Sequence, residues 1–177
     1  MREKKPAVGI VMGSDSDWAL VKACADTLAE FGVAFEVRVI SAHRTPLLAA
    51  EYARSAGRRE IKVVVAAAGG AAHLAGVLAA HTILPVIGIP IKGGAVNGVD
   101  SLLATLQMPA GVPVATVTLG SAGPVNAALL AVQVLALSQP ALRRKLAAHK
   151  RGLQKKVIQG NRRVQAELKN SKPAGLS

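Results

Sequence analysis

Aromatic residues, cysteines and long apolar runs are scarce in this 177-residue sequence, although 51% of its residues are hydrophobic. The aromatic residues are one Trp, one Tyr and two Phe, so a core must be built from Ala, Val, Leu and Ile. A single cysteine, Cys24, excludes a disulfide framework, and its apolar helical surroundings predict a buried thiol. No apolar run reaches the roughly 18 residues that a membrane-spanning helix requires. The charged first six residues precede a run too short for a signal peptide, which predicts a cytoplasmic protein.

Acidic residues are scarce in the last quarter of the chain, which explains the net charge of +12. Residues 1–138 hold 11 Lys and Arg against nine Asp and Glu, whereas residues 139–177 hold 11 against only Glu167. A basic helix can bind the phosphates of nucleic acid, but a run of charge is more often a solvated face. This run also has no aromatic residue on which a base could stack. The pattern therefore favours a solvated face over a nucleic-acid partner.

Short runs rich in Val and Ile alternate with helical patterns along the chain. The runs show no polar alternation, which is typical of parallel strands covered on both faces. With the right-handed crossover rule, this order predicts a three-layer α/β/α sandwich, flavodoxin-like or Rossmann-like, around a central parallel sheet of about five strands. The predicted strands are residues 7–12, 35–40, 61–67, 86–89 and 114–119. The predicted helices are residues 17–31, 46–56, 74–80, 101–106 and 124–137.

A separate long helix is predicted from Pro140 to about Leu168. Its apolar residues recur in pairs at an eleven-residue spacing, which is compatible with one continuous stripe. Gly152 and Gly160 interrupt the helix, each at a cost of about 1 kcal/mol relative to Ala. Such a helix needs a partner surface, and helix 124–137 also has more apolar surface than one sheet can cover. We therefore expect subunit contacts through one or both of these helices.

The stretch Ser41-Ala-His-Arg-Thr-Pro46 lies where a predicted strand ends and a predicted helix begins. Pro46 in the first turn and Thr45 before it are helix-start signals, because the ring fixes φ and the hydroxyl can satisfy an unpaired N–H. Ligands of open α/β sheets bind at this edge, where helix N-termini attract anions. His43 beside the permanent cation Arg44 suits proton transfer on a phosphorylated substrate. Alone, a loop histidine is more often merely solvated.

The loop after the first predicted strand carries small polar residues. Gly13 permits a tight turn, and Ser14-x-x-Asp17 resembles a capping box. The hydroxyls of Ser14 and Ser16 and the free N–H groups can hold a phosphate, while Asp17 can bind sugar hydroxyls. The alternative is a well-capped helix with no ligand.

The loop after the third predicted strand contains paired glycines followed by a histidine. Gly69 and Gly70 allow the backbone to approach a flat ligand closely, and His73 follows three residues later. Neither this loop nor the Gly13 loop has the G-x-G-x-x-G pattern, so a dinucleotide site of that kind is disfavoured.

Six sequence blocks occur together in a fixed order. They are Met12-Gly-Ser-Asp-Ser-Asp-Trp18, Ser41-Ala-His-Arg-Thr-Pro46, Ala68-Gly-Gly-Ala-Ala-His-Leu74, Gly98-Val-Asp-Ser-Leu102, Gln107-Met-Pro109 and Asn126-Ala-Ala-Leu-Leu-Ala131. This set resembles class I N5-carboxyaminoimidazole ribonucleotide mutase of purine biosynthesis (PurE), over residues 7 to about 148. The extent of the resemblance predicts a catalytic α/β domain over residues 1–148. Residues 149–177 are then expected to form a basic helical extension with a disordered end.

The resemblance implies a rearrangement of N5-carboxyaminoimidazole ribonucleotide to 4-carboxy-5-aminoimidazole ribonucleotide, on the route to IMP. It implies a homo-octamer and no metal, nucleotide or organic cofactor. In such an enzyme the carboxylate leaves the exocyclic nitrogen as CO2 and is recaptured at ring carbon C4. His43 would protonate the departing nitrogen and then remove the C4 proton, since one imidazole can serve in both directions.

The resemblance also assigns substrate contacts to the three loops. The phosphate would be held by Ser14, Ser16, Ser41 and Arg44. Asp17 would bind the ribose hydroxyls. Gly69, Gly70 and His73 would cover the imidazole and confine CO2 in a site that excludes water.

Two other functions compete with the mutase. The first is the related carboxylase, which takes free CO2 and aminoimidazole ribonucleotide. It resembles Ala-Gly-Arg-Ser-Asn where this chain has Gly69-Gly-Ala-Ala-His73, which favours the mutase. The second is a non-catalytic module that binds nucleotides or nucleic acid through the basic tail. Ala67 and Ala75 depart from a Gly and a Pro that are usual in the mutase, and Lys92-Gly-Gly94 is unusual, but every proposed site residue is present.

Overall fold

Five parallel strands form a central sheet with helices on both faces. The computed structural model describes residues 5–170, and the strand order is β2-β1-β3-β4-β5. The strands are β1 (Val8–Met12), β2 (Phe35–Val39), β3 (Val63–Gly69), β4 (Val86–Ile91) and β5 (Ala115–Thr116). Every neighbouring pair in this order is parallel. The three-layer α/β/α sandwich predicted from the sequence is confirmed.

The helices also follow the predicted order. They are α1 (Trp18–Phe31), α2 (Pro46–Ala56), α3 (Leu74–Ala80), α4 (Val99–Leu106), α5 (Ala122–Ala136) and α6 (Pro140–Asn170). The predicted bounds of α2 and α3 are those observed. A 3-10 turn over Asp15–Asp17 precedes α1, so this helix begins one residue later than predicted. The long C-terminal helix is confirmed.

The fifth strand is much shorter than predicted. Only Ala115 and Thr116 pair with β4, although the apolar run covers residues 114–119. In the described sheet β5 is an edge strand with a single neighbour, and Gly120 (φ 91°) turns the chain toward α5. A continuous apolar run therefore marked the position of this strand but not its length.

The sheet separates two apolar layers, and successive residues of a strand face opposite layers. Val8, Ile10 and Met12 of β1 pack with α1, α5 and the start of α6. Val11 faces the other layer, where α2 and α3 pack. Because both faces are covered, polar alternation is absent from β1, β3 and β4, whereas the edge strand β2 alternates through Glu36 and Arg38. Cys24 is fully buried in the first layer, as predicted, and burial raises the pKa of its thiol to about 12.

The apolar surface of α5 is covered within the chain. The helix packs against the sheet, α1 and α6, and Leu129, Leu130 and Val134 lie against the core. The apolar surface of α5 that the sheet does not cover therefore packs against α1 and α6, and a subunit contact is not needed to cover it. Other apolar faces, on α4 and on the second half of α6, remain exposed.

The first turns of α6 pack on the α/β domain. Leu142 is buried, the Lys145 Nζ donates a hydrogen bond of 2.7 Å to the Phe31 carbonyl, and the His149 ring lies 5.8 Å from the Phe31 ring. Beyond this point Val157 and its apolar neighbours are exposed. The helix is unbroken across residues 148 and 149, so the division of the chain at that point stays a prediction. The expected disordered end falls on residues 171–177, outside the described residues.

Residues 5–170 contain neither a membrane-spanning helix nor a cluster of metal-ligating side chains. No helix within residues 5–170 is long and apolar enough to cross a membrane. Over the same range, no three His, Cys, Asp or Glu side chains lie close enough together to hold a metal ion.

Gly88 in β4 provides a test of the close approach of α4 to the sheet. An added Cβ would overlap the Thr105 methyl and lie 3.0 Å from Val114 Cγ1. Thr105 is buried and its hydroxyl donates to the Ser101 carbonyl at 2.7 Å, so it is not free to rotate away. Gly88→Ala should lower the free energy of unfolding by about 1–3 kcal/mol in urea denaturation.

Gly57→Ala is the matched control for this change. Gly57 has a helical φ of −61° and ψ of −39°, and a Cβ there would meet open space. This variant should be neutral or more stable by up to about 1 kcal/mol. Equal stability of the two variants would contradict the packing of α4 on Gly88.

Candidate active site

Three loops meet at the carboxyl edge of the sheet around one open pocket. They follow β1, β2 and β3, and they are neighbours because β1 lies between the other two strands. The pocket has a volume of about 410 Å³, a size suited to a small ligand. Its lining consists of Gly13, Ser14, Asp17, Ser41, Ala42, His43, Arg44, Ala68, Gly69, Ala71 and Leu74.

Most of the predicted site residues line this pocket directly. The three that do not are Ser16, Gly70 and His73. Ser16 and His73 each touch a lining residue through a hydrogen bond, and Gly70 belongs to the same loop as Gly69. The structure therefore brings the residues of all three predicted loops to one place.

In the loop after β1, two serine hydroxyls are held together. The Ser16 hydroxyl donates to the Ser14 Oγ at 2.8 Å, and the Ser16 N–H donates to the same oxygen at 3.3 Å. Ser14 thus caps the 3-10 turn, but through the Ser16 N–H rather than the Asp17 N–H. The prediction that Ser14 caps a helical turn is confirmed, but the N–H that it caps lies one residue earlier than predicted, because a 3-10 turn is tighter than an α-helical turn.

Asp17 is half-buried beside these hydroxyls. Desolvation raises the pKa of its carboxyl group, and the nearby charge of Asp15 raises this pKa further. A backbone hydrogen bond from Ser14 acts in the opposite direction without cancelling the rise. A carboxylate desolvated in this way gains from a ligand that supplies hydroxyl donors.

The loop after β2 is closed by Thr45. Its hydroxyl accepts a hydrogen bond from the Ser41 N–H at 3.0 Å and donates one to the Ser41 carbonyl at 2.9 Å. The expectation that this hydroxyl caps α2 is wrong, since its side chain makes no cap hydrogen bond to that helix. Pro46 at the first helical position, which lacks an N–H, removes one of the donors that a cap would satisfy.

Arg44 joins this loop to the loop after β1. Its Nη2 donates to the Gly13 carbonyl at 3.0 Å, and its backbone N–H donates to the Ser41 hydroxyl at 3.1 Å. In the described part of the chain no carboxylate forms an ion pair with Arg44. The guanidinium is thus fixed in the pocket lining with its charge available to an anionic ligand.

The loop after β3 brings a second histidine to the first. His43 Nε2 lies 2.9 Å from His73 Nδ1, and the rings meet edge to face at 82° with centroids 5.0 Å apart. Two N–H hydrogens cannot face each other across this distance, so one of the two nitrogens must act as the acceptor. Gly70, with φ of 60°, provides the turn that carries the chain from β3 to His73. The result is an imidazole pair that can hold a single proton between its two rings.

The departures at residues 67 and 75 do not alter these loops. Ala67 lies inside β3, where it pairs with Met12 and Ile89, and its backbone is not left-handed. Ala75 is buried in the first turn of α3. A glycine or proline is not needed at either position to form the observed backbone. Lys92 and the two glycines after it follow β4 and do not line the pocket.

Sequence analysis missed the apolar wall of the pocket. Ala42, Ala68, Ala71 and Leu74 line it beside the polar residues. The same small apolar residues fill the core throughout this chain, so no composition signal distinguishes those that face a ligand.

The chain is similar to known proteins over most of its length. The family model described as AIR carboxylase matches residues 7–156. The N5-carboxyaminoimidazole ribonucleotide mutase of Pyrococcus horikoshii is 51% identical over 165 residues, which are 93% of this chain and 92% of that protein. The mutase of Bacillus subtilis is 52% identical over 157 residues, covering 89% and 97% of the two chains. The crystal structure of Treponema denticola PurE has a TM-score of 0.81 at 26% identity, covering 89% of this chain and 98% of that one.

The family match and the long alignments lead to the same conclusion. The matched range includes all three loops of the pocket and the first half of α6. This chain belongs to the AIR carboxylase family.

Proposed function

We propose that this protein is an N5-carboxyaminoimidazole ribonucleotide mutase of purine biosynthesis. The observation that carries the proposal is the contact of His73 with His43, which lines the pocket together with Arg44 and several hydroxyl groups. Relatives of that name, about half identical over nearly the whole chain, support the choice of reaction. A substrate of this kind is made and used inside cells, so we also propose a cytoplasmic location.

The substrate phosphate binds where the loops after β1 and β2 meet. Arg44 supplies the charge, and its contact with the Gly13 carbonyl fixes the direction of the guanidinium. The hydroxyls that surround the phosphate are those of Ser14, Ser16 and Ser41. The N–H groups at the start of α1 add a partial positive charge on the same side. Asp17 accepts hydrogen bonds from the ribose hydroxyls.

The reaction moves one carboxylate from nitrogen to carbon, and it leaves His43 in its initial protonation state. The bond between the exocyclic nitrogen and the carboxylate carbon breaks, CO2 leaves, and His43 donates a proton to the nitrogen. Ring carbon C4 then attacks CO2 to form a C–C bond, and His43 takes the proton that C4 releases. His73 faces the same Nε2 atom of His43, so it holds the ring in place and offers a second position for the proton. The cycle consumes no net proton or electron and needs no cofactor.

CO2 must stay in the pocket between the two steps. The methyl groups of Ala42, Ala68 and Ala71 form the apolar part of the lining, and CO2 is a small molecule without charge. Gly69 and Gly70 let the backbone approach the flat imidazole closely. Exclusion of water by the bound nucleotide then retains CO2 long enough for recapture.

Carboxylation of aminoimidazole ribonucleotide with free CO2 is the second candidate function. The description of the family model, AIR carboxylase, favours it. His73 argues for the mutase, because the carboxylase class resembles a sequence with Asn at this position. Freshly prepared N5-carboxy substrate should be converted to the C4 product without added bicarbonate. Turnover only with aminoimidazole ribonucleotide plus bicarbonate would instead identify the carboxylase.

His43→Asn should separate the chemistry from substrate binding. The amide keeps much of the shape of the imidazole but cannot exchange a proton near neutral pH. Turnover should fall by about 10²- to 10⁴-fold, the usual contribution of a positioned acid–base group. Calorimetric titration should show nearly unchanged affinity for the product nucleotide, because Arg44 and the hydroxyls remain.

Arg44→Ala is the matched variant, and it should weaken product binding by about 10- to 10²-fold through loss of a charge-assisted hydrogen bond. A folded His43→Asn protein that turns over near the wild-type rate would show that His43 is not the proton shuttle. A wild-type chain without turnover that required residues 149–177 for nucleotide binding would instead indicate a non-catalytic binding module.

Asp17→Asn should weaken product binding without lowering the stability of the fold at pH 7. Because burial raises the pKa of Asp17, the charged form disfavours folding as pH rises through that value. The neutral amide removes this effect, so at pH 7 the variant should be no less stable than wild type toward urea. Its advantage should shrink as pH falls and Asp17 becomes protonated. Product affinity should nevertheless drop. Normal product binding by the variant would contradict the ribose role, and a lower stability at pH 7 would contradict the effect of burial.

We also propose that the chain forms a homo-oligomer, and the family resemblance suggests an octamer. An apolar row that starts in the turn before α4 and continues along this helix supports self-association. Its members, 46–54% exposed and spaced by three, four and three residues, are Val96, Val99, Leu103 and Leu106. A regular apolar row of this kind on an exposed helix face is typical of an interface.

Light scattering should therefore report an oligomer for the wild-type chain. Leu103→Glu should reduce the mass, whereas Gln133→Glu, an exposed change on α5, should not. A monomeric wild type at assay concentration would refute the assembly.

A further inference from the structure

The turn that carries His43 and Arg44 is held by a side chain that neither lines the pocket nor caps a helix. The Thr45 hydroxyl makes two hydrogen bonds to one residue, accepting from the Ser41 N–H at 3.0 Å and donating to the Ser41 carbonyl at 2.9 Å. The Thr45 N–H donates to the same carbonyl at 3.0 Å. Three contacts thus close a five-residue loop on itself, with His43 at its middle.

The residue that Thr45 holds is itself the support of Arg44. The Ser41 hydroxyl accepts from the Arg44 backbone N–H at 3.1 Å and lies 3.4 Å from its Nε. The far end of the guanidinium reaches the Gly13 carbonyl on the next loop. A displacement of Ser41 would therefore move both the backbone that carries His43 and the side chain of Arg44.

We infer that Thr45 is a positioning residue of the reaction, acting through Ser41 on His43 and Arg44. The inference rests on the proposed mutase activity. Its hydroxyl is not used by α2, because Thr45 makes no side-chain cap bond and the Ala49 N–H instead bonds the Thr45 carbonyl at 3.1 Å. Thr45 is also exposed, so its methyl group contributes little to the core. Loop geometry is what remains for the hydroxyl to determine.

Thr45→Val tests this role, because it replaces the hydroxyl by a methyl of similar size. The freed Ser41 N–H and carbonyl would then bond water, and the loop would lose two of its three closing contacts. A shift of about 1 Å in a catalytic group can cost up to about 10²-fold in rate. We expect kcat to fall by about 10- to 10²-fold through His43 and KM to rise through Arg44. Thr45→Ser, which restores the hydroxyl, should stay within about threefold of wild type.

Two further variants separate positioning from general damage. Thr82→Val is the matched control: its hydroxyl also accepts a backbone N–H, from Leu84 at 3.2 Å, but in the loop before β4 at the opposite edge of the sheet. It should leave kcat and KM unchanged. In an Arg44→Ala background, Thr45→Val should raise KM no further, because no guanidinium is left to place, while its effect on kcat should persist.

The outcomes are decisive in either direction. A folded Thr45→Val protein with wild-type kcat and KM would overturn the inference, as would a Thr45→Ser protein equally impaired. Thr45→Ala provides a second hydroxyl deletion, and unfolding of both deletion variants would show that the hydroxyl serves stability instead. If the wild type binds the product nucleotide without turnover, the mutase proposal fails by itself. The effect of Thr45→Val on nucleotide affinity would then still test the role through Arg44.

Discussion

The contact between the Arg44 guanidinium and the Gly13 carbonyl is the interaction on which the site depends. It is possible because β1 lies between β2 and β3, so that their three loops leave the sheet side by side. Parallel strands do not pair through short hairpins, and each crossover helix returns the chain so that its strands end at one edge. The bond across the loops then converts this adjacency into fixed positions for charge, hydroxyls and imidazoles.

The fold and the location of the site could be predicted because their signals are local. Uninterrupted Val and Ile runs such as residues 63–65 report burial on both faces, and Pro46 reports the start of a helix. Once the sheet is parallel, the three strand-to-helix loops with polar residues must lie at the same edge of it. The order of the strands, which decides which loops are neighbours, does not follow from local patterns.

The details that could not be predicted depend on long-range packing. The apolar surface of α5 resembled a subunit interface until α6 was seen to cover it, because a sequence does not show which helix returns to which. The Thr45 hydroxyl was expected to cap α2, and only the position of Ser41 shows that it bonds this residue instead. The length of β5 depended on its being at the edge of the described sheet, with β4 as its only neighbour there.

The pocket contains few functional groups, and the proposed reaction requires few. Among the described residues, no basic residue of α6 lines the pocket, so we do not expect the large positive charge of this helix to bind the substrate. In the proposed function one guanidinium and several hydroxyls bind the phosphate, and the hydrogen bonds of Arg44 fix its guanidinium before the ligand arrives. In the proposed reaction His43 gives one proton to the exocyclic nitrogen and takes another from C4, so no external acid or base has to enter. Such a site needs exact placement of few groups, which is why a hydroxyl outside the pocket can matter to the rate.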